Sequence, residues 1–203
     1  MTKRQKKKLF TLLMAALALL LSTQVGSDQS IIKKITNYSN EESSQEMQEP
    51  PVMVGYYKVT EFVDGDTIAV NMDGSIEKVR FIGVDTPETH KPNSPVQCFG
   101  EAAAQFTKDL IAAKAVRLEA DPTNSNRDRY NRLLRYVYLS DGTLVNAEII
   151  KQGYGFAYVS FPFTKMEEFK SFEAAARENN LGLWAGCDIK TLSGGREQTN
   201  DAQ

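Results

Sequence analysis

The sequence is poor in the residues that build soft-metal sites. Its 203 residues include one histidine, two cysteines and one tryptophan, and two Cys with one His do not make a structural zinc ligand set. A basic footprint is also missing. Lys and Arg total 24 against 26 Asp and Glu, a net charge of −2. Over residues 54–187 they number 15 against 18, a net of −3. An anionic polymer would therefore have to be held by local groups and not by overall attraction. No repeat is visible at solenoid periods. The uncharged apolar run LFTLLMAALALLL, residues 9–21, is thirteen residues long, short of the ~20 that a membrane-spanning helix needs.

What is present begins with MTKRQKKK, five basic residues directly before that run. Charge followed by a short apolar core is the pattern of an export signal. Residues 1–27 are thus expected as a signal peptide cut after Ser27, or as an uncleaved N-terminal membrane anchor. The protein is then exported, either secreted or anchored facing outside. Residues 28–53 carry Glu41, Glu42, Glu46 and Glu49 among Ser, Asn and Gln, and end in Pro50-Pro51. They read as a disordered polar spacer. Residues 188–203 are polar and Gly-containing and are expected as a disordered tail. An oxidising compartment would let Cys98 and Cys187 pair as a disulfide, the favoured reading, and spacing alone does not exclude two unrelated small buried residues.

The remaining domain, 54–187, opens with β-type segments near 56–63, 67–72 and 77–84, separated by the turn signals Asp64-Gly65 and Asp73-Gly74. This is a three-stranded meander. FGEAAAQFTKDLIAAK repeats apolar residues at helical spacing, VRLEA and LLRYVYL are strands, and LVNAEIIKQG and TKMEEFKSFEAAARENN are two more helices. The order does not suit a parallel βαβ sheet. It predicts an α+β fold, mainly a five-stranded oligonucleotide-binding (OB) barrel with three packed helices.

Two acidic clusters stand at strand ends. Asp64 and Asp66 lie in VDGDT, where an Asp-Gly hairpin turn is the plain reading. Arg80, Asp85 and Glu88 lie in VRFIGVDTPETH, where Arg80 could simply pair with Asp85. Strict alternation would put Arg80 and Asp85 on opposite faces, unless Gly83 marks a bend. Two Asp, a backbone carbonyl and water would satisfy Ca²⁺, a hard cation that takes oxygen ligands.

VDGDT, VRFIGVDTPET and DRYNRLLRYVY, in this order and spacing, resemble the staphylococcal (micrococcal) nuclease, or thermonuclease, family from about Tyr56 to Trp184. The resemblance implies a monomeric Ca²⁺-dependent endonuclease that hydrolyses DNA and RNA with little sequence preference. The 5′ P–O bond would break, leaving 3′-phosphate products. By position, Asp66, Asp85 and the Thr86 carbonyl would hold the metal, Glu88 would act as general base, and Arg80 and Arg132 would bind phosphate. Tyr130 and Tyr158 match tyrosines of the family's nucleotide pocket. Three departures stand out: Asn131 where the family commonly has Gly, Ser160 in place of a second pocket tyrosine, and a loop after Glu88 with only Lys91. A lone His90 argues against nucleases built on a His base with metal-binding histidines. The alternative is a non-catalytic extracellular OB-fold module that binds nucleic acid or protein.

Overall fold

The structure is a computed structural model that describes residues 55–89 and 95–202. The expected signal or anchor, the spacer, His90 and Lys91 lie outside the described residues. Strands β1 (Tyr56–Asp64), β2 (Thr67–Met72) and β3 (Ser75–Phe81) form the expected meander. Its second turn places Asp73 and Gly74 at φ 52° and 95°, the paired left-handed conformation that Asp-Gly adopts in a tight hairpin. Strands β5 (Ala115–Glu119) and β6 (Leu133–Tyr138) complete a closed barrel in the order β1-β2-β3-β6-β5, with β5 pairing back to β1. One pair is parallel, β3 with β6, in the register Val79↔Leu133 to Phe81↔Arg135. Closure leaves no free sheet edge, and the fold is α+β with the expected OB barrel.

Inside sit Ile68, Val70, Val79, Phe81, Val116, Tyr136 and Val137, all nearly inaccessible. Each large apolar side chain so buried stabilises the fold by about 1.5–3 kcal/mol. Helix α1 (Gly100–Ile111) turns Ala103, Thr107 and Ile111 inward, one stripe at i, i+4 and i+8. The buried Thr107 hydroxyl donates to the Gly65 carbonyl at 2.6 Å, so this helix fixes the β1–β2 turn. Helix α2 (Val145–Lys151) contributes buried Asn146. Its amide nitrogen donates to the carbonyls of Ile82 and Arg135 at 3.0 and 3.2 Å, and its oxygen accepts from the Val137 amide at 2.8 Å. One side chain thereby satisfies backbone groups where β3 and β6 part.

The strand expected over 77–84 stops at Phe81. Gly83 has φ 72°, and a Cβ there would lie 2.6 Å from the Phe163 ring. Only glycine fits both conditions. The chain turns there, and β4 (Val84–Asp85) leaves the barrel to pair with β7 (Phe156–Ala157). Helix α3 (Met166–Glu178) buries Phe169 and Ala176 against the core, as its spacing predicts. A four-residue helix α4 (Leu183–Gly186) follows, in addition to the three expected.

Cys98 and Cys187 are bonded, S–S 2.06 Å, across 89 residues. The stretch read as a disordered tail is instead a hairpin of β8 (Ile189–Thr191) and β9 (Glu197–Thr199). Its order comes from outside itself. The Cys98 amide donates to Asn200 O at 2.7 Å, the Ala202 amide to Val96 O at 2.8 Å, and Thr199 Oγ1 to Cys98 O at 2.9 Å. Composition gives no sign of partners so distant in sequence.

Candidate active site

At one end of the barrel the β1–β2 turn, the β3–β4 bend and the loop before β6 meet. Asp64 closes the turn by accepting from the Asp66 amide at 3.1 Å. Asp66, 2% exposed, accepts from Thr67 Oγ1 at 3.0 Å and from the Thr86 amide at 2.9 Å. A Cβ on Gly65 would come within 2.8 Å of Thr86 Oγ1, so the two segments pack together only around a glycine.

Arg80 and Asp85 do meet, because the Gly83 bend reverses the alternation that would have kept them apart. Arg80 pairs with Asp66 through one nitrogen, and its other terminal nitrogen donates to Asp85 Oδ1 at 3.0 Å and to Val84 O at 2.9 Å. Burial lowers the Arg80 pKa, and the charges of Asp85 and Asp64 oppose that shift. Burial likewise raises the Asp64 carboxyl above its usual range, against the pull of Arg80, Thr67 and Arg132. The Asp64 carboxyl is therefore undersupplied with positive charge for its degree of burial.

Arg132 reaches the same cleft from the loop before β6. Its Nε and Nη2 donate to Asp128 Oδ2 at 2.7 and 2.6 Å, and Nη1 lies 3.4 Å from Thr67 Oγ1. Partial burial pushes the Asp128 carboxyl up, but the bonds from Arg132 and the Tyr130 amide hold it below the usual range. Asn131, one of the departures, has φ 65°, a left-handed conformation that Asn tolerates far better than other side chains. The turn expected of a glycine is thus kept.

Glu88 lines the cleft beside Asp85. Its backbone is clamped by Gln97, whose Oε1 accepts from the Glu88 amide at 2.9 Å and whose own amide donates to Glu88 O at 3.0 Å. Its carboxylate makes no hydrogen bond among the described residues, so it is available to accept a proton. Tyr130 is 65% exposed and stacks under Arg129 and Arg132, with ring-centre distances of 4.8 and 5.4 Å. The Tyr158 amide donates to Gly83 O at 2.9 Å, and its ring lies 6.2 Å from that of Phe161. Arg80, Asp85, Glu88, Tyr130, Arg132, Tyr158 and Phe161 border one cleft of about 610 Å³.

The structure brings Arg80, Asp85, Glu88, Tyr130, Arg132 and Tyr158 to one cleft, ties Asp66 to Arg80 and to the Thr86 amide outside that lining, and adds two residues. Phe161, 63% exposed, offers an aromatic face next to Ser160, where a pocket tyrosine was missing. Arg196, from the C-terminal hairpin, places Nε and Nη2 each 2.9 Å from Asp85 Oδ2. Phe161 follows Ser160 directly, a signal that sequence reading could have used. Arg196 carried none.

The donor set suits a hard cation. Asp66 and Asp85 are buried anions that already draw guanidinium groups, and every candidate ligand atom is oxygen. Among the described residues no three His, Cys, Asp or Glu side chains form a cage. A cation held by Asp66 and Asp85 would take its remaining ligands from the Thr86 carbonyl and water, a mixture that Ca²⁺ accepts.

Residues 78–186 match the model of the family described as staphylococcal nuclease homologues. That span includes Arg80, Asp85, Thr86, Glu88 and Arg132. Over 156 residues the chain is 38% identical to a protein named Thermonuclease from Staphylococcus intermedius, covering 76% of this chain and 91% of that one. It is 44% identical over 125 residues to the SPbeta prophage-derived endonuclease YokF of Bacillus subtilis, covering 61% and 42%. It is 43% identical over 134 residues to Endonuclease YncB of the same organism, covering 65% and 63%. The chain therefore spans under two thirds of either Bacillus relative.

Proposed function

Since the chain belongs to the family of staphylococcal nuclease homologues, we propose that it is an exported Ca²⁺-dependent endonuclease. It would hydrolyse phosphodiester bonds of DNA and RNA with little sequence preference. The observation that carries this reading is the convergence of Arg80, Asp85, Glu88 and Arg132 on one cleft, with Asp66 paired to Arg80 and bonded to the Thr86 amide.

Asp66, Asp85 and the Thr86 carbonyl would hold the Ca²⁺. When bound, it offsets charge on the phosphoryl oxygens and lowers the pKa of water nearby. Glu88 accepts a proton from the attacking water, and that water oxygen forms the new bond to phosphorus. Arg80 and Arg132 offer paired N–H donors to the phosphoryl oxygens, where negative charge grows in the transition state. The 5′ oxygen leaves with the bonding pair and takes up a proton, so the product strand ends in a 3′-phosphate. Tyr130, Tyr158 and Phe161 give the bases flat surfaces to pack on. Stacking tolerates any base and so supports broad specificity.

Export is supported by the basic-then-apolar pattern of residues 1–21 and by the Cys98–Cys187 disulfide, a bond that persists in oxidising compartments. The N-terminal segment either is removed or anchors the chain to a membrane, and the enzyme acts as a monomer. Glu88→Gln in the full chain tests the mechanism. With Ca²⁺ and single-stranded DNA, kcat should fall about 10²–10⁴-fold with KM nearly unchanged. Unaltered turnover would remove Glu88 from its role.

A further inference from the structure

Asp85 is shared by two guanidinium groups. Arg80 takes Oδ1 from inside the barrel end, and Arg196 takes Oδ2 with two nitrogens from outside. The Asp85 side chain is 10% exposed and that of Arg196 45%, so Arg196 stands between the buried carboxylate and solvent. Arg80 is held by Asp66 as well as by Asp85, so Arg196 is the outer of the two guanidiniums on Asp85, and it lines the same cleft as Arg129 and Arg132.

The backbone delivers Arg196 to this place. Residues 192–196 form the turn of the hairpin, with Gly194 and Gly195 at φ 88° and 81° and the Leu192 amide donating to Arg196 O at 2.7 Å. Neighbouring Glu197 pairs with Arg177 of α3 at 2.5 Å. At the hairpin's base, Asp188 N donates to Asn200 Oδ1 at 3.0 Å beside the disulfide. A staple at the base, an ion pair at the side and a tight turn at the tip hold one arginine at the mouth of the cleft. Its guanidinium carbon lies 6.0 Å from the centre of the Tyr158 ring.

We propose that Arg196 is a third phosphate-binding arginine, which contacts a backbone phosphate of the bound strand. This inference rests on the nuclease reading above. A cation held by Asp85 would compete with Arg196 for the same carboxylate, and the released guanidinium would then find its anion in the substrate. The domain's net negative charge makes such a local contact valuable, since no general attraction replaces it.

The test uses the full chain carrying Glu88→Gln, so that bound strands persist. Binding of a fluorescent single-stranded DNA oligonucleotide is followed by anisotropy across a salt series with Ca²⁺ present. Adding Arg196→Ala should weaken binding and make the slope of log K against log salt shallower by about 0.7, one phosphate contact on a single strand. Arg196→Lys should keep the slope. Arg196→Gln retains a hydrogen-bond donor for Asp85 without the charge, and should behave like the alanine variant. An unchanged slope in the alanine and glutamine variants would overturn the proposal, as would tighter Ca²⁺ binding with unaltered DNA affinity, the mark of a counter-ion only. Failure of the Glu88→Gln parent to bind DNA at any salt would instead overturn the nuclease reading on which the proposal rests.

Discussion

The amide of Thr86 donates to Asp66 Oδ2 at 2.9 Å, twenty residues along the chain, and this bond ties the β1–β2 turn to the segment leaving β4. It aligns the two acidic clusters that the sequence shows separately. It also places the Thr86 carbonyl on a strand end whose position Asp66 controls.

Asp66→Asn keeps an acceptor for Thr86 but removes the charge facing Arg80. Stability should fall by about 1–3 kcal/mol, read as a lower urea midpoint, because Arg80 retains only Asp85 and Asp64 as compensation. Ca²⁺ binding measured by calorimetry should weaken at least about tenfold. Undiminished Ca²⁺ affinity would exclude Asp66 as a ligand.

Asp121 offers a pH signature away from the cleft. The carboxylate is 3% exposed and accepts from Thr123 Oγ1 at 2.5 Å, Tyr136 Oη at 2.6 Å and Thr164 N and Oγ1 at 2.7 and 2.6 Å. Burial pushes its pKa up, but these bonds from Thr123, Thr164 and Tyr136 win and hold it well below the usual range. A depressed folded pKa contributes stability that is complete above the unfolded value, about 3.9, and is lost as pH falls towards the folded one. Asp121→Asn should therefore cost about 1–3 kcal/mol at neutral pH, with the gap to the unmutated chain narrowing below about pH 4. A gap that stays constant with pH would contradict this.

Replacing Cys98 and Cys187 by Ser should lower stability by about 2–5 kcal/mol, as expected for opening a long loop. Hydrogen exchange should speed up in 188–202 before it does in the barrel strands. Equal protection of the hairpin in the variant would show that its other contacts suffice.

Much of the fold was legible because its signals are local. The meander has Asp-Gly turns and β-type runs, and α1 and α3 show apolar stripes at helical spacing. The site was legible because Asp66, Arg80, Asp85, Glu88 and Arg132 fall in three short motifs. The meeting of Arg80 with Asp85 was ambiguous, since it hinges on the backbone of Gly83, whose positive φ and close approach to Phe163 have no local sequence signal. The C-terminal hairpin was not legible at all. Its strands are three residues long, its turn reads as a polar Gly-rich linker, and the groups that order it lie near Cys98. Arg196 was therefore passed over as part of a tail. Asn131 stood out as a departure from the family's Gly, yet its side chain is one of the few that accept the left-handed backbone found there.

The central claim is that this cleft cuts phosphodiester bonds with the help of Ca²⁺. The most direct measurement incubates the purified full chain with single-stranded DNA, either with Ca²⁺ or with a chelator, and analyses the ends of the fragments. Cleavage should appear only with Ca²⁺, and the fragments should carry 3′-phosphates. Intact DNA under both conditions, or equal cleavage in the presence of the chelator, would contradict it.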